Sequence, residues 1–322
     1  MTDEPQATTG ATTEETSSHM EQAYRRLSRR AIIFTSLVIL VVLGVAAVIG
    51  FGAISRRFQG ARDLDRAASL LERADGVVLD VDEVVRSEAT SEVATQAKAL
   101  QAKLPSARRD LEECQRLIAD AMDKVTEDEQ RHARLLQASV AARLKMLGPA
   151  SVILEANVKA GQALQPSQDG WAIVLAAEKL ADQSVLEYNR LTRPGVTRST
   201  QLALQAARRF GAARPYFSQA ATAFPEAGFE RYVKLIDAKI ALLATSRQSN
   251  SAWLAGKIPA ANTAIRRYNA QEQQVLKLAG ALPATPGTAV ADAYETLAGA
   301  ATKLYDAARK EATEADARLN TF

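Results

Sequence analysis

The 322-residue chain is poor in the side chains that carry most enzyme chemistry: it has one cysteine, two histidines and 5% aromatic residues. Cys114 alone cannot close an intramolecular disulfide, and His19 and His132 cannot furnish a histidine-rich metal site. Charge is nearly balanced, with 40 Lys plus Arg against 37 Asp plus Glu. A global basic surplus that would neutralise a nucleic-acid backbone is therefore missing, and nucleic acid is not an expected partner. None of H-E-x-x-H, G-x-S-x-G, G-x-x-x-x-G-K-[ST] or G-x-G-x-x-G occurs. The expectation is a protein that is not an enzyme and needs no cofactor. Proline and glycine are spread thinly, which excludes collagen-like and low-complexity chains.

What the chain has in quantity is alanine, nearly one residue in five, which favours helix over sheet. Arginine outnumbers lysine 28 to 12, a composition of the kind found in high-GC bacteria. Residues 31–54 (AIIFTSLVILVVLGVAAVIGFGAI) carry no charge. At about 1.5 Å per residue such a helix reaches roughly 36 Å, enough to cross a hydrocarbon core of about 30 Å. A retained single-pass membrane anchor is expected, because the run exceeds a signal-peptide core and no small-x-small cleavage site precedes Arg56 and Arg57. Four arginines (25, 26, 29 and 30) flank the run before it and five (56, 57, 62, 66 and 73) after it, so a simple count does not orient it. The tight N-terminal cluster, and the ease with which long C-terminal domains translocate, favour a cytoplasmic N-terminus and an extracytoplasmic remainder. Residues 1–30 read as a disordered Thr- and acid-rich tail ending in that cluster.

After the anchor, apolar residues recur at three and four spacing throughout. The fold class is all-α: one N-terminal transmembrane helix followed by an antiparallel multi-helix bundle, with residues 55–164 and 171–322 as two tandem modules joined by the linker-like QPSQDG at 165–170. Helices are expected over 59–85; over 92–125 with a bend at Pro105; over 126–146, opened by the capping box TEDE; and over 149–164. Beyond the linker they are expected over 171–191, ended by Arg193-Pro194-Gly195; over 197–223 with a break at Pro215; and over 225–246, 259–278 and 286–319. Aligning residues 130–141 with 230–241 matches an arginine, a leucine and two alanines and pairs His132 with Tyr232, which suggests a duplication. Periodicity of two alanine-rich helices explains the match equally well.

Glu129 and His132 form an E-x-x-H pair on one helical face, but no second such pair follows, so no metal site is expected. Asp80 and Asp82 point to different faces, as a solvated acidic helix surface would have them. Arginines interleave with aromatics in two places, giving Arg208, Arg209, Arg214 and Tyr216 in one and Arg266, Arg267 and Tyr268 in the other. Brought together, these would hold an anionic ligand or partner through guanidinium forks and ring stacking. The plainer expectation is that Phe210, Phe217 and Tyr268 are core and the arginines solvated. The function that fits is a non-enzymatic scaffold or partner-binding module of the cell envelope; the competing reading is a ligand-binding sensor or accessory subunit that signals through a separate partner.

Overall fold

The structure, a computed structural model, describes residues 51–321. The tail and the expected membrane span lie outside these, except that the first helix takes in residues 51–54. Among the described residues no helix is long and apolar enough to cross a membrane. All regular structure among the described residues is helical: α1 (Phe51–Val85), α2 (Ser91–Ala121), α3 (Glu127–Tyr188), α4 (Arg193–Ala223), α5 (Glu230–Leu254), α6 (Ile258–Gly280) and α7 (Pro286–Asn320), with short 3-10 turns at Met122–Lys124 and Pro225–Ala227.

Local chemistry sets several boundaries where they were expected. At the start of α3, Glu129 Oε2 accepts from the Thr126 amide and hydroxyl, both at 2.7 Å, which closes the capping box. The Thr285 hydroxyl accepts from the Thr288 amide at 3.1 Å ahead of Pro286, and Pro259 lies in the first turn of α6.

Elsewhere the prolines do not break the chain. Pro105 lies within α2 and Pro215 within α4, while Pro149 and Pro166 both lie within α3, a single helix of 62 residues. The expected linker at 165–170 is thus helical, and its turn-like residues have packing roles. The Ser167 hydroxyl donates to the Leu164 carbonyl at 2.8 Å, close to where Pro166 interrupts the amide ladder. Gly170 lets α4 approach, since a Cβ there would meet Tyr216 Cβ at 2.9 Å and the Phe217 ring at 3.0 Å. Arg193-Pro194-Gly195 does not end a helix but opens α4: the Thr192 hydroxyl accepts from the Gly195 amide at 3.2 Å. Pro225 opens only a 3-10 turn, and α5 starts at Glu230 after Gly228, whose φ of 69° suits glycine.

The chain forms two compact units, divided otherwise than at residue 165. Among the described residues, the first holds the chain up to Asp75 with Ser106–Lys145 and the stretch from Ala308; the second holds Gly76–Pro105 and Met146–Ala307. Helices α1, α2, α3 and α7 each contribute residues to both. Of the aligned segments, 130–141 belongs to the first unit and 230–241 to the second.

In the first unit, Ala67, Leu111, Cys114, Ile118, Ala133 and Val140 are buried, and no aromatic side chain is buried among its described residues. Arg143 is also buried, forked between Asp75 and Asp316. Its Nη1 and Nη2 donate to the Asp316 oxygens at 2.9 and 3.0 Å, its Nη2 to Asp75 Oδ2 at 3.1 Å, and Nε to Asp75 Oδ1. In the second unit Phe217 stacks on Tyr232 with centroids 5.1 Å apart, Trp171 meets Tyr232 edge-on at 6.1 Å, and Phe210, Phe224 and Phe229 complete the cluster.

Candidate functional site

Within the second unit α4 packs along α5, and α5 along α6. Register is fixed by polar contacts. Asn250 Nδ2 donates to Ser199 Oγ at 3.0 Å near one end of the α4–α5 pair, and Arg214 Nε donates to Asp237 Oδ1 at 2.9 Å further down. Ser249 Oγ donates to the Ala261 carbonyl at 3.4 Å between α5 and α6. This antiparallel register puts Arg208 and Arg209 of α4 at the height of Ala241 and Leu242, and Arg266 and Arg267 of α6 at the height of Leu243 and Ala244.

The four arginines share a level yet do not converge. Arg214 marks the flank of α4 that faces α5, and at about 100° per residue Arg208 and Arg209 lie about 120° and 140° around the helix from it, in opposite senses. All four are exposed, and Arg208, Arg209 and Arg267 make no ion pair with a described residue. Arg266 donates only to the Thr263 hydroxyl, at 3.2 Å. Of the aromatic residues expected beside them, Tyr216 is 37% exposed, whereas Tyr268 is half-buried against Leu235, Leu242 and Val275. Burial, with Glu272 beside it, pushes the Tyr268 hydroxyl up to about 12. Phe210 and Phe217 are core. The result is a set of exposed cations at one level of α4 and α6 with one exposed ring, rather than a pocket.

Two surface hollows are present. One of about 170 Å³ is lined by Glu226, Arg231, Asp292 and their neighbours in the second unit. Another of about 290 Å³, between Leu135, Ala142, Glu311 and Arg318, lies in the first. Both fall below the roughly 300–1,000 Å³ of small-molecule sites, and neither includes the arginines above.

What whole-chain charge arithmetic concealed is segregation. From Tyr188 to Pro225, and again from Ala238 to Gln271, there is no aspartate or glutamate, while eleven lysines and arginines fall in these two stretches. Among the described residues only three find acidic partners: Arg190 with Glu187, Arg214 with Asp237, and Lys239 with Glu178. Of these, the exposed Arg214–Asp237 pair contributes well under about 1 kcal/mol, and Lys239–Glu178 is half-buried. A sliding count of acids along the sequence would have found this face, whereas the net charge of +3 averages it away.

Glu129 is occupied by its capping bonds and His132 is half-buried, its imidazole pKa lowered by desolvation. No cluster of three or more His, Cys, Asp or Glu able to hold a metal occurs among the described residues. Cys114 is fully buried with its thiol donating to the Ala67 carbonyl at 3.2 Å, and burial pushes its pKa up to about 12. It is thus shielded from exchange with other thiols. Asp82 accepts from the Tyr305 hydroxyl at 3.3 Å, while Asp80 is exposed. No family model, curated protein or solved structure matches this chain.

Proposed function

We propose that this chain is a non-enzymatic, single-pass membrane protein of the bacterial cell envelope. Its helical bundle acts as a scaffold that binds an acidic partner or an anionic envelope component through α4–α6. The observation that supports the binding part is the pair of acid-free stretches, 188–225 and 238–271, whose exposed cations are mostly unpaired. Guanidinium groups suit carboxylate and phosphate, and a spread of them along a helix surface suits an extended partner better than a small ligand. The small hollows support a scaffold over a ligand sensor. The membrane part rests on the uncharged run at 31–54 and its flanking arginines, with the N-terminus on the cytoplasmic side.

The two parts are tested separately. Deleting residues 31–54 should release the chain from alkaline-washed membranes, and a membrane-impermeant maleimide should label an exposed cysteine introduced on α4 in intact cells but not Ser18→Cys. The full chain in mild detergent should be retained on a polyanionic matrix and elute with salt. The quadruple variant Arg208→Gln, Arg209→Gln, Arg266→Gln, Arg267→Gln should elute much earlier; equal retention would overturn the binding site. Loss of membrane retention without deletion would overturn the anchor.

A further inference from the structure

The α3–α4 and α5–α6 turns emerge at the same end of the second unit. Ser184, Ser199 and Asn250, all nearly or fully buried, are tied together by the Ser184 hydroxyl on the Ser199 carbonyl at 2.9 Å and by the Asn250 amide on the Ser199 hydroxyl. Beyond this knot α3 runs four more residues to Tyr188 and α5 four more to Leu254, so both turns stand about 6 Å past it. The apex they form holds aliphatic side chains out in solvent: Leu186 is 67% exposed, Leu191 60% and Ile258 48%. Around them Arg193, Arg198 and Lys257 are exposed without an acidic partner, in the stretches where no acid occurs.

Leu191 is the odd member. It stands just past the end of α3 with φ of 50°, the left-handed conformation in which helices usually end on glycine. It is the one non-glycine residue with positive φ among those described, and the fold gives its side chain little to pack against in return. A bulky side chain kept in a strained, solvent-facing position points to contact with something outside the fold.

We propose that this apex inserts into an anionic lipid surface, Leu186, Leu191 and Ile258 entering the headgroup–acyl boundary while Arg193, Arg198 and Lys257 lie among lipid phosphates. This deepens the binding reading above by naming lipid as the anionic class. Cations alone would serve any polyanion. Aliphatic side chains ringed by cations, with the one carboxylate of the turn, Glu187, neutralised by Arg190, are the arrangement of interfacial membrane contacts, in which apolar burial and attraction to anionic headgroups add.

The test uses the full chain reconstituted in phosphatidylcholine vesicles with and without phosphatidylglycerol, carrying an environment-sensitive maleimide dye on Ala255→Cys in the apex. The shielded Cys114 leaves the new thiol the one that reacts. With phosphatidylglycerol the dye should shift to the blue and be quenched by brominated acyl chains, while the same dye on Ser218→Cys, far down α4, stays aqueous. Leu191→Gly should reduce apex partitioning by about tenfold while leaving the melting temperature equal or higher, which a merely structural leucine would not do. Arg193→Gln with Lys257→Gln should reduce it by about fivefold per residue.

An apex dye that stays aqueous with phosphatidylglycerol overturns the proposal, as does equal quenching at Ser218→Cys. If heparin or DNA shifts the apex dye while brominated lipid does not quench it, the face binds soluble polyanions. The lipid inference then falls and the broader binding reading stands. Flotation of the undyed chain reads the anchor independently of either result.

Discussion

At the centre of the first unit a guanidinium is forked between two carboxylates, whereas the second unit is centred on Phe217 stacked against Tyr232. Both units are made of the same alanine-rich helices, and alanine faces alone offer little shape to distinguish one packing from another. Each unit solves this differently. In the first, direction comes from charge: Arg143 joins residues of α1, α3 and α7, and the Ser139 hydroxyl donates to Asp316 Oδ1 at 2.7 Å. In the second it comes from volume, through rings that fill space no alanine can. The charged solution leaves a residual tension. Burial pulls the Arg143 pKa down, and the two carboxylates more than offset this, leaving it raised. Asp75, desolvated, ends with its own pKa raised despite the arginine.

The contrast can be broken most forcibly at Phe217, which is fully buried. Phe217→Ala should cost about 4 kcal/mol in urea unfolding, because a ring-sized cavity in a close-packed core collapses only in part. Both tryptophans, Trp171 and Trp253, lie in the second unit, so their emission should report this loss directly.

Arg143→Met should cost about 3 kcal/mol by stranding two carboxylates, with more effect on helical circular dichroism than on tryptophan emission. Replacing all three partners, as Arg143→Met, Asp75→Leu and Asp316→Leu, should restore the parent stability or exceed it. Failure of that rescue would mean that the charges are needed for specificity and not merely tolerated.

Gly161→Ala sharpens the comparison from the side of shape. In a helix interior this change ordinarily stabilises by about 1 kcal/mol, but here the new Cβ would meet the Thr90 carbonyl at 2.3 Å, so destabilisation by about 2 kcal/mol is expected. A thermal melt decides the sign.

The smallest effect is one of pH. Desolvation lowers the His132 pKa below that of the unfolded chain, so its neutral form stabilises the fold fully above about pH 6.5, and this contribution is lost as pH falls through the folded value. Asp75, raised by burial, works in the opposite sense at lower pH, so the useful measurement is the difference between parent and His132→Asn melts. The parent should lose more stability between about pH 7 and 5 than the variant does.

Legibility in the sequence followed the range of the interactions. The capping box at Thr126 and Glu129 and the Thr285–Pro286 start are set by neighbours within four residues, and both could be read directly. Continuity through Pro149 and Pro166 could not, because it depends on packing supplied by distant residues such as Tyr216 and Phe217 beside Gly170. The same holds for the arginines of α4 and α6. Their exposure followed from their type, but whether they would meet depended on helical phase and register relative to α5, which long-range contacts such as Arg214–Asp237 and Asn250–Ser199 reveal. The acid-free stretches were fully legible, and counting charge over the whole chain hid them.

The knot at Ser184, Ser199 and Asn250 bears on how such a bundle keeps its alignment. Sliding α4 along α5 by two turns, about seven residues or about 10.5 Å, would put Ala213 in the place of Ala206, Ala220 in that of Ala213 and Phe217 in that of Phe210. The same slide would bring Ala206 to the place of Ser199, leaving the buried Asn250 amide without its acceptor. Three small side chains thus act as a detent against a slide that the repeat of alanines and rings would partly tolerate. The rings set how α4 meshes with its neighbours, and a few polar atoms add the choice between one meshed position and the next.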